Sequence, residues 1–76
     1  MNFTNRITRL REKLAEQQLD AILISSSENR SYFSGFRGSA GYLWITPREA
    51  ILATDFRYTE QAAFEAPGYE IIRITA

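Results

Sequence analysis

Two short stretches hold the side chains best suited to chemistry. The first is Asn29-Arg30-Ser31-Tyr32-Phe33-Ser34-Gly35-Phe36-Arg37-Gly38-Ser39-Ala40-Gly41, which contains three of the chain's four glycines, at positions 35, 38 and 41. Glycine costs roughly 0.5–1 kcal/mol relative to alanine inside a helix or strand. An evenly spaced set therefore predicts a loop whose backbone bends sharply or approaches something closely. Between the glycines stand Phe36, Arg37 and Ser39. The planar fork of Arg37 suits a carboxylate or a phosphate. The second stretch is Thr54-Asp55-Phe56-Arg57-Tyr58. Its carboxylate and guanidinium could serve a substrate, or Asp55 could cap a helix with Arg57 bonded to it in the first turn.

Several chemistries are excluded. Ser39 has glycine at 38 and 41, whereas a nucleophile elbow places glycines two residues on either side of the serine. No Lys-Ser or Lys-Thr pair follows, so this is not a Walker-type phosphate loop. The chain has no histidine and no cysteine. It cannot by itself build a Ser-His-Asp or Cys-His mechanism, or a histidine-containing metal site. Glu12, Glu16, Glu28, Glu49, Glu60, Glu65 and Glu70 are scattered on faces expected to be exposed, with no acid pair that has a reason to be buried. Two readings of the glycine stretch stay open on these grounds: a tight connection with Arg37 and Ser39 merely solvated, or a loop that presents them.

The elements that position these stretches are read from periodicity. Phe3, Ile7, Leu10 and Leu14 fall on one helical face. Asn2 or Thr4 is a candidate cap, and a non-glycine residue near Gln17 or Gln18 must close the helix. Ala21-Ile22-Leu23-Ile24 is continuously apolar and predicts an interior strand covered on both faces. Ser25 and Glu28 have capping-box spacing for a short helix through Tyr32 and Phe33 that stops at Gly35. Tyr42–Thr46 and Ala50–Thr54, joined by Pro47-Arg48-Glu49, predict an antiparallel hairpin. A helix over 57–66, capped by Asp55 and ended by Pro67-Gly68, leads to a last strand from Tyr69 to Thr75. The order is a helix and then βαββαβ. The aromatics Tyr32, Phe33, Phe36, Tyr42, Trp44, Phe56, Tyr58 and Phe64 are expected mainly in the core, because aromatics carry much of the burial in a domain of this size.

Seventy-six residues suffice for one small domain, and nine basic against nine acidic residues give zero formal net charge. That removes the basic footprint of a nucleic-acid binder and any polybasic membrane signal. No apolar run is long enough to span a bilayer, and Arg6, Arg9 and Arg11 interrupt any signal-peptide pattern. With cysteine absent, the expected compartment is the cytoplasm.

Leu19–Ile24, the run Glu28–Gly41 and the run Thr54–Ala62 together resemble, in order, the amino-terminal domain of the creatinase, prolidase and aminopeptidase P family. The resemblance extends from about Ile7 to Tyr69. Tyr-Phe-Ser-Gly-Phe-x-Gly-Ser-x-Gly followed by Asp-x-Arg-Tyr is specific in combination. Gln18 departs from the pattern, since the family commonly has glycine before Leu-Asp. The implied fold is α/β: a three-layer α/β/α unit with a mixed sheet, ribonuclease-H-like. Residues 1–76 are expected to form only part of that domain. The carboxy-terminal pita-bread catalytic domain, with its aspartate, histidine and glutamate metal ligands, is expected to lie outside this chain.

The resemblance implies a metal-dependent Xaa-Pro peptidase, a hydrolase that cleaves peptide bonds before proline with two divalent metal ions (Mn, Zn or Co). No cofactor and no catalytic or metal residue is expected within these 76 residues. The implied role of the chain is a substrate lid and dimerisation unit in a homodimer. Its implied partners are its own catalytic domain, a second subunit and a proline-containing peptide, with no nucleic acid and no membrane. Arg37, with Ser39 and Phe36 behind it, is the implied substrate or partner contact, on a loop shaped by Gly35, Gly38 and Gly41. Two rivals remain. One is a binding module from a metal-free family member, since creatinase itself works without metal. The other is an RNA-recognition-type module, which shares the βαββαβ order but needs aromatics that Ala50–Thr54 lacks.

Overall fold

The computed structural model describes residues 3–74. Helix α1 spans Phe3–Glu16 and turns Ile7 and Leu14 into the core. Thr4 is already inside the helix rather than its cap, and Asn2 lies outside the described residues. The helix closes in a Schellman arrangement. The Leu19 amide donates to the Leu14 carbonyl at 2.9 Å, and the Gln18 amide donates to Ala15 at 3.2 Å. Gln18 occupies the left-handed position, with φ of 55°.

Strand β1, Ile22–Ile24, pairs antiparallel with β2, Tyr42–Ile45, which pairs antiparallel with β3, Ala50–Thr54. Strand β4, Glu70–Arg73, lies parallel to β3. The sheet order is β1-β2-β3-β4, so the mixed sheet and the hairpin of the sequence reading are both present. The interior position expected of 21–24 is not. β1 is an edge strand, and Leu23 is 58% exposed while Ile24 is buried. A continuous apolar run suits a doubly covered strand and an edge strand with one uncovered face equally well, so composition could not choose.

Registers Ile24↔Leu43, Leu43↔Leu52 and Leu52↔Ile71 run across the inner face, as do Ile22↔Ile45 and Ile45↔Ala50. All three helices contribute to the core on this side: Ile7 from α1, Phe33 from α2, Ser27–Ser34, and Ala62 from α3, Thr59–Glu65. Leu43, Ile45 and Leu52 are fully buried, and full burial of such a side chain is worth about 1.5–3 kcal/mol. The outer face carries the rows Leu23–Trp44–Ile51 and Tyr42–Ala53–Ile72. No helix among the described residues covers it. The arrangement is therefore one helical layer on a mixed sheet, with the opposite face open.

Two caps differ from the sequence reading. Ser26, not Ser25, caps α2, its hydroxyl accepting from the Asn29 amide at 3.3 Å. Asp55 does not cap α3. The helix begins four residues later with Tyr58 at its N-cap and no side-chain cap bond, and Asp55 instead closes the turn before it. The hairpin turn is held by the Thr46 hydroxyl, which accepts from the Arg48 and Glu49 amides. Arg11 ties α1 to that turn by donating to the carbonyls of Thr46 at 2.8 Å and Glu49 at 3.0 Å.

Candidate functional site

Helix α2 is stopped by Gly35, whose φ of 82° is left-handed and whose amide donates to the Ser31 carbonyl. The chain then drives Phe36 into the core, where it is 1% exposed, with its amide donating to the Ser34 hydroxyl at 3.0 Å. Phe36 is therefore not a contact residue, contrary to the sequence expectation. An aromatic between flexible glycines is free to fold inward, and burial is what its large apolar surface gains from. Gly38 is buried against the Phe36 ring, where a side chain would collide. Gly41 leads into β2 at φ of 154°, where a β-carbon would press on the Ala53 carbonyl oxygen at 3.0 Å.

The loop is clamped by a residue the sequence reading passed over. Arg30, in α2, is 3% exposed. Its Nη1 donates to the carbonyls of Ser25 at 3.1 Å and Gly41 at 3.0 Å, and its Nη2 donates to Gly38 at 2.8 Å. The guanidinium lies 5.9 Å from the Phe36 ring centroid. Arginine is almost never fully buried unless paired, so position alone gave no reason to place it inside. Arg30 and Ser34 lie four residues apart in α2 and both are buried, with the Ser34 hydroxyl donating to the Arg30 carbonyl at 2.6 Å.

The two exposed side chains of the loop lead to different places. Arg37 is exposed. Its amide donates to Glu65 Oε1 at 2.8 Å, while its guanidinium has no partner among the described residues. It lines a groove of about 590 Å³ with Arg6, Tyr32 and Phe64. Arg6 stacks on the Tyr32 ring at 4.1 Å and donates to the Tyr32 carbonyl at 2.6 Å. Phe64 is 87% exposed. Ser39 instead lines a second groove, of about 460 Å³, with Arg30, Asp55 and Ile74. The structure thus does not gather Phe36, Arg37 and Ser39 into one site.

Beside the second groove, the Ser39 and Tyr58 hydroxyls are 2.6 Å apart. That hydrogen bond holds the Tyr58 phenol below its ordinary pKa, and the Arg57 charge acts in the same direction. Asp55 and Arg57 form a bidentate pair, with Nη2–Oδ2 at 2.7 Å and Nε–Oδ1 at 3.0 Å. This pairing lowers the Asp55 pKa and raises that of Arg57. Both carry out local bonding. The expected core placement of the aromatics also fails for most of them: Tyr32, Tyr42, Trp44, Phe56 and Phe64 are exposed. Among the described residues no group of three or more His, Cys, Asp or Glu could hold a metal ion. The residues present do not fit a dinuclear centre.

The profile of the creatinase/prolidase N-terminal domain matches residues 6–76. The chain belongs to this family. A peptidase of Bacillus subtilis, YqhT, is 43% identical over 67 residues, covering 88% of this chain and 19% of that protein. The solved Xaa-Pro dipeptidase of Bacillus anthracis is 40% identical with a TM-score of 0.93, covering 99% of this chain and 21% of that one. An X-prolyl aminopeptidase from Caenorhabditis elegans, described as a cytosolic enzyme with a di-nuclear active site, is 25% identical with a TM-score of 0.87, covering 100% and 16%. Other relatives of this creatinase/prolidase domain are named Xaa-Pro aminopeptidases or prolidases. The chain spans about a fifth of the length of such relatives. No helix among the described residues is long and apolar enough to cross a membrane.

Proposed function

We propose that the chain is the amino-terminal substrate-lid and dimerisation unit of a cytoplasmic, metal-dependent Xaa-Pro peptidase. The catalytic machinery, including two divalent metal ions, belongs to a carboxy-terminal domain outside these residues. The loop from Gly35 to Gly41 approaches the active site of a partner subunit, where Arg37 meets a carboxylate of the peptide or of the partner. One observation carries this reading. Arg37 is exposed on a loop clamped from inside, and its guanidinium has no partner among the described residues. A side chain with five donors left to solvent on a fixed backbone is poised for an external acceptor.

The full-length enzyme tests it. Arg37→Ala lowers kcat/KM by about ten- to a hundredfold, as expected for a lost charge-assisted bond of roughly 1.5–3 kcal/mol, with metal content and folding unchanged. Mixing Arg37→Ala subunits with subunits lacking their metal ligands raises activity as the subunits exchange, because each mixed dimer keeps one complete site. Exchange without any rise would remove the trans arrangement.

A further inference from the structure

We infer that Arg30 is a positioning residue. It holds the loop from Phe36 to Gly41 in the one conformation that presents Arg37, and so acts on turnover through a residue it does not touch. The inference rests on the lid reading of Arg37. Three segments meet at the Arg30 guanidinium: the chain leaving β1 at Ser25, the middle of the loop at Gly38, and its end at Gly41. No carboxylate pairs with Arg30 among its acceptors, which are all backbone carbonyls. Its Nε–H is buried without an acceptor among the described residues. Burying a cation in this way costs stability rather than adding to it, and an unsatisfied buried donor calls for an explanation.

Geometry supplies that explanation. A planar fork reaches carbonyls lying in different directions and fixes them relative to one another. A lysine ammonium is a point charge on a flexible stem and does not. The remaining side-chain ties of the loop sit at other places: the Ser34 hydroxyl to the Phe36 amide, Glu65 to the Arg37 amide, Ser39 to Tyr58, and the Thr54 hydroxyl to the Ala40 carbonyl at 2.6 Å. Among the described residues only Arg30 connects the middle of the loop to both α2 and the start of β2. Without it, glycines at 35, 38 and 41 leave the backbone free to wander.

The test compares Arg30→Lys, Arg30→Met, Arg37→Ala and the double variant Arg30→Lys/Arg37→Ala in the full-length peptidase. Hydrogen exchange over residues 36–41 is expected to quicken at least about tenfold in both Arg30 variants, with β2 and β3 unchanged. Arg30→Lys is expected to reproduce the kinetic loss of Arg37→Ala, in kcat more than in KM, and the double variant to lose no more than either single one. Unchanged loop exchange, or losses that multiply in the double variant, overturns the inference. If neither Arg30 variant folds, the wild-type enzyme decides by nitrogen NMR of the guanidinium. Slowly exchanging Nη protons coupled to the Gly38 and Gly41 carbonyls support the clamp, and free exchange overturns it. If Arg37→Ala leaves turnover intact, the lid reading fails separately, and the exchange result alone judges Arg30.

Discussion

The Phe36 ring lies so close over Gly38 that a β-carbon at residue 38 would sit 2.2 Å from Phe36 Cζ. The ring has no room to retreat, because it is already among the most buried side chains of the core. Gly38→Ala should therefore displace either the ring or the loop and destabilise the domain by about 1–3 kcal/mol, the usual cost of overpacking. Chemical denaturation measures it. Gly68→Ala is the matched control, since no atom lies within 4 Å of a β-carbon there. It should stay within about 0.5 kcal/mol of the parent chain.

Gln18 offers the opposite case. It holds a left-handed conformation that costs a side-chain-bearing residue energy but costs glycine none. Gln18→Gly should gain about 0.5–1 kcal/mol, net of glycine's greater freedom when unfolded. The melting temperature should rise by a few degrees, roughly 4–8 °C per kcal/mol for a domain of this size. An unchanged or lower melting temperature would show that the strain is carried elsewhere.

Tyr69 links stability to alkaline pH. Burial raises its phenol to a pKa of about 12, and its hydroxyl donates to the Phe33 carbonyl at 2.9 Å. The unfolded value is near 10. Between these values the folded state keeps a proton that the unfolded state loses. The contribution is thus whole below about pH 10 and disappears as pH rises toward about 12. Ultraviolet titration should show one late-ionising tyrosine that Tyr69→Phe removes. The same substitution should flatten the fall of stability with pH across this window and cost about 0.5–1.5 kcal/mol at neutral pH through the lost hydrogen bond.

Features set by neighbouring residues were legible in the sequence. Gly35 ends α2, and the hairpin of β2 and β3 follows from two β-prone runs flanking Pro47. The need for a non-glycine close to α1 is met at Gln18. What failed depended on distant geometry. Arg30 is inside because loop carbonyls converge on it, and no local pattern announces carbonyls. Leu23 is outside because it projects from the sheet face that no helix among the described residues covers, as does Trp44 beside it. Arg37 and Ser39 are two residues apart, yet the path around Gly38 sends them to separate grooves.

Strand order in the sheet repeats strand order in the chain, β1-β2-β3-β4. Each strand is laid against the one made just before it, and none must be inserted later between two that already touch. Local pairing of this kind keeps loop-closure costs low and folding fast. Synthesis delivers about 5–20 residues per second, far slower than a hairpin forms. The sheet can therefore grow at its leading edge while the ribosome is still working. Helix α1 is the exception. Its Arg11 donates to carbonyls 35 and 38 residues further along, so those two bonds wait until the hairpin turn has been made, although α3 and β4 are still to come.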